Sequence, residues 1–287
     1  MNTTFIDTHC HLNFKRFNKN RNEVILESID KGVGVFIVPG TDIPSSKKAL
    51  ELTQEHNNLY AAVGIHPHHI YTYIDQKNNG NKQIEELILA DLTLLEELIN
   101  DEKVVAVGEI GLDTYQYTQT KYAQYTISED FLALQKDLLK KQILLALKYD
   151  KSIILHNRET KKDLLDLLDS EWNEKMRFHT VFHCCEADEE LLAYALKHDF
   201  FIGIDGDVTY GGEKAIFAKK IPLKNLVLET DSPFILPEPL RTKKLYPNTP
   251  ATIPIIAQSM ADLKGISIEE VVKVTTENAR RLFNLNC

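Results

Sequence analysis

The feature that most constrains this chain is a recurrence. Eight short runs rich in Val and Ile return at intervals of roughly 20 to 50 residues, separated by stretches of helical periodicity. They are Phe5 to Asp7, Val33 to Val38, Leu59 to Gly64, Val104 to Glu109, Ser152 to His156, Thr180 to Cys184, Phe200 to Ile204 and Leu226 to Asp231. Most are apolar almost continuously, which means that both faces are covered, as in parallel strands under helices. Between them, Glu129 to Lys148 sets Phe131, Leu134, Leu138 and Leu145 at near-helical spacing, with Lys136, Lys140 and Lys141 on a wet face. Eight such units can close on themselves, so the expected fold is α/β, a single-domain (β/α)8 TIM barrel over residues 1–287. Tyr71 to Lys82 reads as a polar surface loop before a helix at Ile84 to Ile99. Ile253 to Leu285 reads as two or three helices closing the body.

Composition agrees, with 43% hydrophobic and 26% charged residues. Against 42 Asp+Glu there are 33 Lys+Arg, a net charge of −9. That balance excludes a protein that coats nucleic acid nonspecifically, which needs surplus cations to displace counterions. It leaves room for a nucleic-acid enzyme with a locally positive pocket. Four cysteines, Cys10, Cys184, Cys185 and Cys287, form no C-x-x-C pair and fit a reducing compartment. The N-terminus lacks a basic start and an apolar stretch, and no run approaches ~18 apolar residues. The expectation is a cytoplasmic protein with no membrane association and no obligate protein partner.

A barrel builds its active site at the C-terminal ends of its strands. At the first such end stands His9-Cys10-His11, where a period of two points both imidazoles to one side, the side of Phe5 and Asp7, and Cys10 to the other. The fourth ends with Glu109 between Gly108 and Gly111, with no cationic neighbour in sequence, and an unpaired buried carboxylate is expensive. The fifth ends at His156, with Arg158 two residues on, the sixth at His183 and the eighth at Asp231. Four imidazoles and two carboxylates exceed one tetrahedral site, so two divalent ions are the economical reading, with Glu109 bridging them. The ligand types leave the metal open among Mg, Mn, Zn, Fe and Co. If this is right, the Glu109 carboxylate and the His183 ring lie within about 8 Å of one another.

The motifs that carry a family resemblance are Phe5-Ile6-Asp7-Thr8-His9-Cys10-His11-Leu12, Val63-Gly64-Ile65-His66-Pro67-His68, the Glu109 segment, Ile154-Leu155-His156-Asn157-Arg158, Phe182-His183-Cys184 and Leu228-Glu229-Thr230-Asp231-Ser232-Pro233. Through nearly its whole length the chain resembles the TatD-type metal-dependent deoxyribonucleases, within the amidohydrolase-like barrels. The resemblance implies that His9, His11, Glu109 and Asp231 surround one ion, and that Glu109, His156 and His183 hold the second. It implies that Asp231 takes the proton from water and that His66 orients substrate or leaving group. It makes Arg158 a pocket arginine whose bidentate donors suit a phosphate oxygen. Two divalent ions contribute roughly +4 against about −2 from Glu109 and Asp231, so an anionic phosphodiester is welcome. The implied reaction is attack of a metal-bound hydroxide on phosphorus in DNA, removing nucleotides from 3′ ends, with single strands suiting a narrow mouth.

Three segments depart from the family's usual wording. Cys185-Glu186-Ala187 adds a carboxylate that would repel an anion, and Gly203-Ile204-Asp205-Gly206-Asp207 adds two more near the mouth. Arg241-Thr242-Lys243-Lys244-Leu245-Tyr246-Pro247-Asn248-Thr249-Pro250 stands where a shorter basic turn with Asn-x-Pro is usual; Arg241, Lys243 and Lys244 can track a backbone there, with Tyr246 as a stacking surface. The alternative is a two-metal hydrolase of the same barrel class acting on an ester, amide or aminoacyl-tRNA bond; a noncatalytic metal-holding partner ranks last. His68 and His69 read as surface residues, His179, Cys184, Cys185, Trp172 and the Tyr115 to Tyr125 cluster as packing, and Glu229 as a support beneath the site.

Overall fold

The computed structural model describes residues 4–79, 83–118, 123 and 125–285. Every expected strand is present: β1 (Phe5–Asp7), β2 (Val33–Pro39), β3 (Leu59–Val63), β4 (Val104–Asp113), β5 (Ser152–Arg158), β6 (Thr180–Phe182), β7 (Phe201–Ile204) and β8 (Leu226–Leu228). All are parallel and lie side by side in chain order, β1 to β8. The helices are α1 (Arg21–Asp30), α2 (Ile43–Glu55), α3 (Ile70–Asn79), α4 (Ile84–Ile99), α5 (Glu129–Lys148), α6 (Lys161–Ser170), α7 (Glu189–Lys197), α8 (Gly212–Lys220), α9 (Ile253–Lys264) and α10 (Ile268–Phe283). Eight strands wound this way form a nearly closed (β/α)8 barrel.

The barrel's last seam is sewn by chain beyond the strands. Thr8 N donates to Leu228 O at 3.0 Å, Asp231 N to His9 O at 2.9 Å and His11 N to Ser232 O at 2.8 Å. Closure therefore rests on the two segments that carry His9, His11 and Asp231.

Two apolar layers hold this frame. Inside, each strand contributes to one cluster: Ile6, Ile37, Ala62, Ala106, Ile154, Val181, Phe201 and Val227, stoppered from below by Leu282 and Phe283 of α10. Outside, the other strand faces pack against the helices. Local chemistry fixes where helices begin. Asp42 and Ser45 form a reciprocal capping box at α2, Ser128 caps α5 and Asp188 caps α7.

Three expectations are corrected. The segment from Tyr71 to Lys82 is not a loop up to Asn79; it is α3, because Tyr71 is buried, stacked on Phe131 at 4.2 Å between centroids, and buried Tyr73 donates to Asp91 at 2.8 Å. Residues 80–82 lie outside the described residues. The fourth strand runs on to Asp113 rather than stopping at Glu109, since it pairs with β5 as far as Arg158. Phe5 does not share the histidines' side: it packs on the outer layer while Ile6 points inward, and a bend at Thr8 resets the alternation before His9. Among the described residues no helix is long and apolar enough to cross a membrane.

Candidate metal centre

Irregular backbone aims the key side chains. In β4, Ala106 faces the interior and Ile110 the outer layer, which strict alternation forbids for residues four apart. The register against β5 shifts between Val107 and Ile110, and that bulge turns Glu109 into the mouth. A Cβ at Gly111 would overlap the His156 carbonyl, so only glycine lets β5 approach this closely. A Cβ at Gly203 would overlap the Glu229 carboxylate, so this glycine opens room beneath His183. Asp231 sits in the left-handed region at φ 47°, held by its own N–H to His9 O and by Phe234 N donating to its carbonyl.

The result is a carboxylate ringed by imidazoles. Glu109 Oε2 lies 3.5 Å from His9 Nε2 and 3.7 Å from His11 Nε2. Its other oxygen, Oε1, lies 2.9 Å from His156 Nδ1 and 3.6 Å from both His183 Nε2 and His66 Nε2. Asp231 Oδ1 completes the first side, 3.4 Å from His11 Nε2 and 3.8 Å from His9 Nε2. The expected approach of Glu109 and His183 is thus met with room to spare.

These donors fit divalent cations. Two groups, His9 with His11 and Glu109, and Glu109 with His156 and His183, each bring ligand atoms within 4.8 Å of one another. The first group's spacings, 3.2 Å between the two Nε2 atoms and 3.5 to 3.7 Å to the carboxylate, approximate the edges of a polyhedron with bonds near ~2.1 Å. Imidazole and carboxylate are also the ligand types that such ions take.

Electrostatics divides the two sides. Burial, with His183 stacked 3.5 Å away, pushes His9 down to about 3, so its ring is neutral and able to ligate. Burial also opposes charge on His156 and His183, yet carboxylates overrule it. Hydrogen bonds to Asp113 and Glu109 raise His156 to about 9, and Glu229 together with Glu109 raises His183 to about 10. Burial likewise works against a charged Glu109, but His66, His183, His156 and His9 hold its carboxyl well below the usual carboxylate range.

Supports around the centre went unread in the sequence or were misread. Asp113 Oδ2 lies 2.8 Å from His156 Nε2 and 3.1 Å from His68 Nε2, and it accepts from Tyr117 Oη at 3.0 Å. His68 is therefore buried and paired, not a surface residue. Glu229 does stand beneath, with Oε1 3.0 Å from His183 Nδ1. Two buried glutamines of α5 clamp the neighbouring loops. Gln135 accepts from Asp113 N and donates to Asp113 O, both at 2.9 Å, while Gln142 accepts from Ile65 N at 2.7 Å and donates to Ile65 O at 3.0 Å. Their signal is a seven-residue spacing on the helix's inward face, visible only once that face is known.

A cavity of about 820 Å³ opens over the centre, lined by His66, Arg158, Lys214 and Asp231 among others. Arg158 lies 4.0 Å over the Tyr115 ring and donates to Tyr117 Oη at 3.1 Å. The extra acids are also answered: Glu186 accepts from Asn157 at 2.8 Å and Asp207 lies 3.1 Å from Lys214 Nζ. Arg241 is not brought to the cavity. It lies 4.2 Å over Tyr210 and 3.4 Å from Glu238 instead. Of the tyrosine cluster, residues 119–122 and 124 lie outside the described residues.

Comparison with known proteins agrees with this geometry. The family model of TatD related DNases matches residues 6–284. The uncharacterized metal-dependent hydrolase YabD of Bacillus subtilis (strain 168) is 33% identical over 282 residues, covering 98% of this chain and 99% of its own. The deoxyribonuclease TATDN3 of Homo sapiens is 27% identical over 281 residues, covering 97% and 94%. Among solved structures, YJJV, a TatD homolog from Escherichia coli k12, superposes with a TM-score of 0.81 at 28% identity, covering 99% of this chain and all of that one. With a match of this extent and a cluster of metal-binding side chains at its mouth, the chain belongs to the TatD related DNase family and is a metal-dependent hydrolase.

Proposed function

We propose that this chain hydrolyses phosphodiester bonds in DNA, removing nucleotides from 3′ ends of single strands in the cytoplasm, and that His9, His11, Glu109, His156, His183 and Asp231 would hold two divalent cations. The observation that carries the reading is the division of the Glu109 oxygens, Oε2 toward His9 and His11 and Oε1 toward His156 and His183. Held there with Asp231 as a further ligand, the cations would neutralise phosphate charge and lower the proton affinity of water.

The chain's own residues supply the rest. Asp231, lining the cavity beside His9 and His11, accepts the proton of the attacking water. His66 is held neutral, chiefly by burial and then by His156, and its Nδ1 accepts from His68 N. The remaining proton is therefore on Nε2, aimed into the cavity, where it donates to the leaving oxygen or a phosphate oxygen. Arg158, fixed by Tyr115 and Tyr117, offers its remaining N–H groups to a phosphate. The human deoxyribonuclease relative and the free thiols at Cys10, Cys184 and Cys185 support the substrate class and a reducing compartment respectively.

The test is metal-stripped protein reconstituted separately with Mg, Mn, Co and Zn, offered end-labelled single-stranded DNA, RNA and an aryl ester. Mononucleotides released from a free 3′ end are expected. Ester cleavage with the oligonucleotides left intact would instead identify a hydrolase of carboxylic substrates, for which the acids Glu186, Asp207 and Glu213 along the same cavity are no obstacle.

A further inference from the structure

Beside the catalytic cavity runs a second groove, of about 970 Å³, and the two share Phe14, Thr41, His69 and Phe234 as a common wall. Its chemistry differs from that of the cavity. Along it stand Lys15, Arg16 and Lys48, the last paired with Glu51 at 3.1 Å, against Asp42, whereas in the catalytic cavity Glu186, Asp207 and Glu213 stand among Arg158 and Lys214. Among the described residues neither Lys15 nor Arg16 forms an ion pair. Three aromatic rings rise from the groove. Phe14 stacks on His11 with centroids 4.2 Å apart and meets Phe234 edge to face at 6.1 Å. Phe234 is 50% exposed and Tyr246 is 54% exposed, which leaves apolar ring surface open to a partner.

We propose that this groove binds the body of a single DNA strand, leading away from the terminal nucleotide held in the catalytic cavity. The inference rests on the DNA reading above and adds the direction in which the strand runs. A polyanion leaving the centre along the groove meets Lys15 and Arg16, with Phe234 and Tyr246 as stacking surfaces beside them. Unpaired bases have faces for Phe234 and Tyr246, and the phosphates between them lie within reach of Lys15 and Arg16. A duplex has no free base faces to offer, so the groove selects single strands. Tyr246 thus acts where its sequence suggested, while Arg241 of the same loop does not take part.

The test measures binding, in chelator so that nothing is cleaved. Anisotropy is read for a labelled thymidine dinucleotide and octanucleotide. The intact protein should hold the longer strand more tightly. Tyr246→Ala should weaken the octanucleotide about tenfold and the dinucleotide less than about twofold, with Tyr246→Phe restoring the longer strand. Arg16→Ala should lower the salt slope for the octanucleotide by about 0.7, the contribution of one phosphate contact. Lys175→Ala, at the far end of the barrel, is the charge control and should change neither. Equal losses at both lengths, no loss, or an octanucleotide bound no better than a dinucleotide would overturn the proposal. Failure of the DNase reading shows separately, as reconstituted protein that leaves bound DNA intact.

Discussion

The two flanks of Glu109 are built from the same residue types and behave differently. On the flank of β5 and β6, each histidine leans on a second carboxylate, His156 on Asp113 and His183 on Glu229. On the flank of the seam, among the described residues, His11 Nδ1 has only the Pro39 carbonyl at 3.3 Å, and His9 Nδ1 has no hydrogen-bond partner. A backing carboxylate fixes the ring's orientation and raises its affinity for any cation, the proton included. The lesson is that one flank holds its rings firmly but must shed protons to take a metal, while on the other His9 is already neutral.

The largest expected effect comes from erasing the comparison altogether. Glu109→Gln removes the group both flanks share, so turnover should fall about 10³-fold or more and metal content, measured by mass spectrometry, should drop on both. Activity within tenfold of the parent would show that the flanks work independently. Next, Asp231→Asn should leave folded, partly metal-loaded protein with at least 10²-fold lower turnover. Unchanged turnover would remove Asp231 from the proton's path.

The sharpest contrast between flanks is made by Asp113→Asn and Glu229→Gln, each of which keeps the shape and deletes the backing charge. Each should weaken one cation about 10- to 100-fold in calorimetric titration and leave the seam-side ion in place. Loss of both ions together would erase the distinction.

The smallest effect is a matter of pH. His156 and His183 are raised in the folded protein to about 9 and about 10 from an ordinary 6.5. The folded state therefore binds protons more tightly than the unfolded one. The stability this confers on metal-stripped protein is full below about pH 6.5 and is lost as pH rises through 9 to 10. Melting temperature should fall over that window, and added divalent cation should flatten the fall by replacing the protons. A flat profile without cation would mean that the backing carboxylates do not hold protons on these rings.

Much of this was legible in the primary structure because the signals were local. Apolar runs mark strands, and a histidine or carboxylate at a run's end marks the mouth, so His9, His11, Glu109, His156, His183 and Asp231 could be grouped in advance. What resisted reading depends on distant partners. Nothing near Asp113 in sequence announces that it serves His156, His68 and Tyr117 at once. Gln135 and Gln142 look like ordinary helix residues until their inward face meets the β3 and β4 loops. Polar composition hid α3, whose helical state depends on Phe131 and Asp91 receiving its tyrosines. Phe5 was placed on the wrong side because a single bend at Thr8 defeats any count by twos.

The seam has a consequence for how the molecule comes into being. Asp231 and Ser232, the partners that lock His9 and His11, emerge from the ribosome more than two hundred residues after them. Until then the growing polypeptide is an unclosed sheet with an incomplete catalytic apparatus. A message truncated before Ser232 yields no feeble hydrolase, only an inactive fragment, and competence arrives only once that segment has been made.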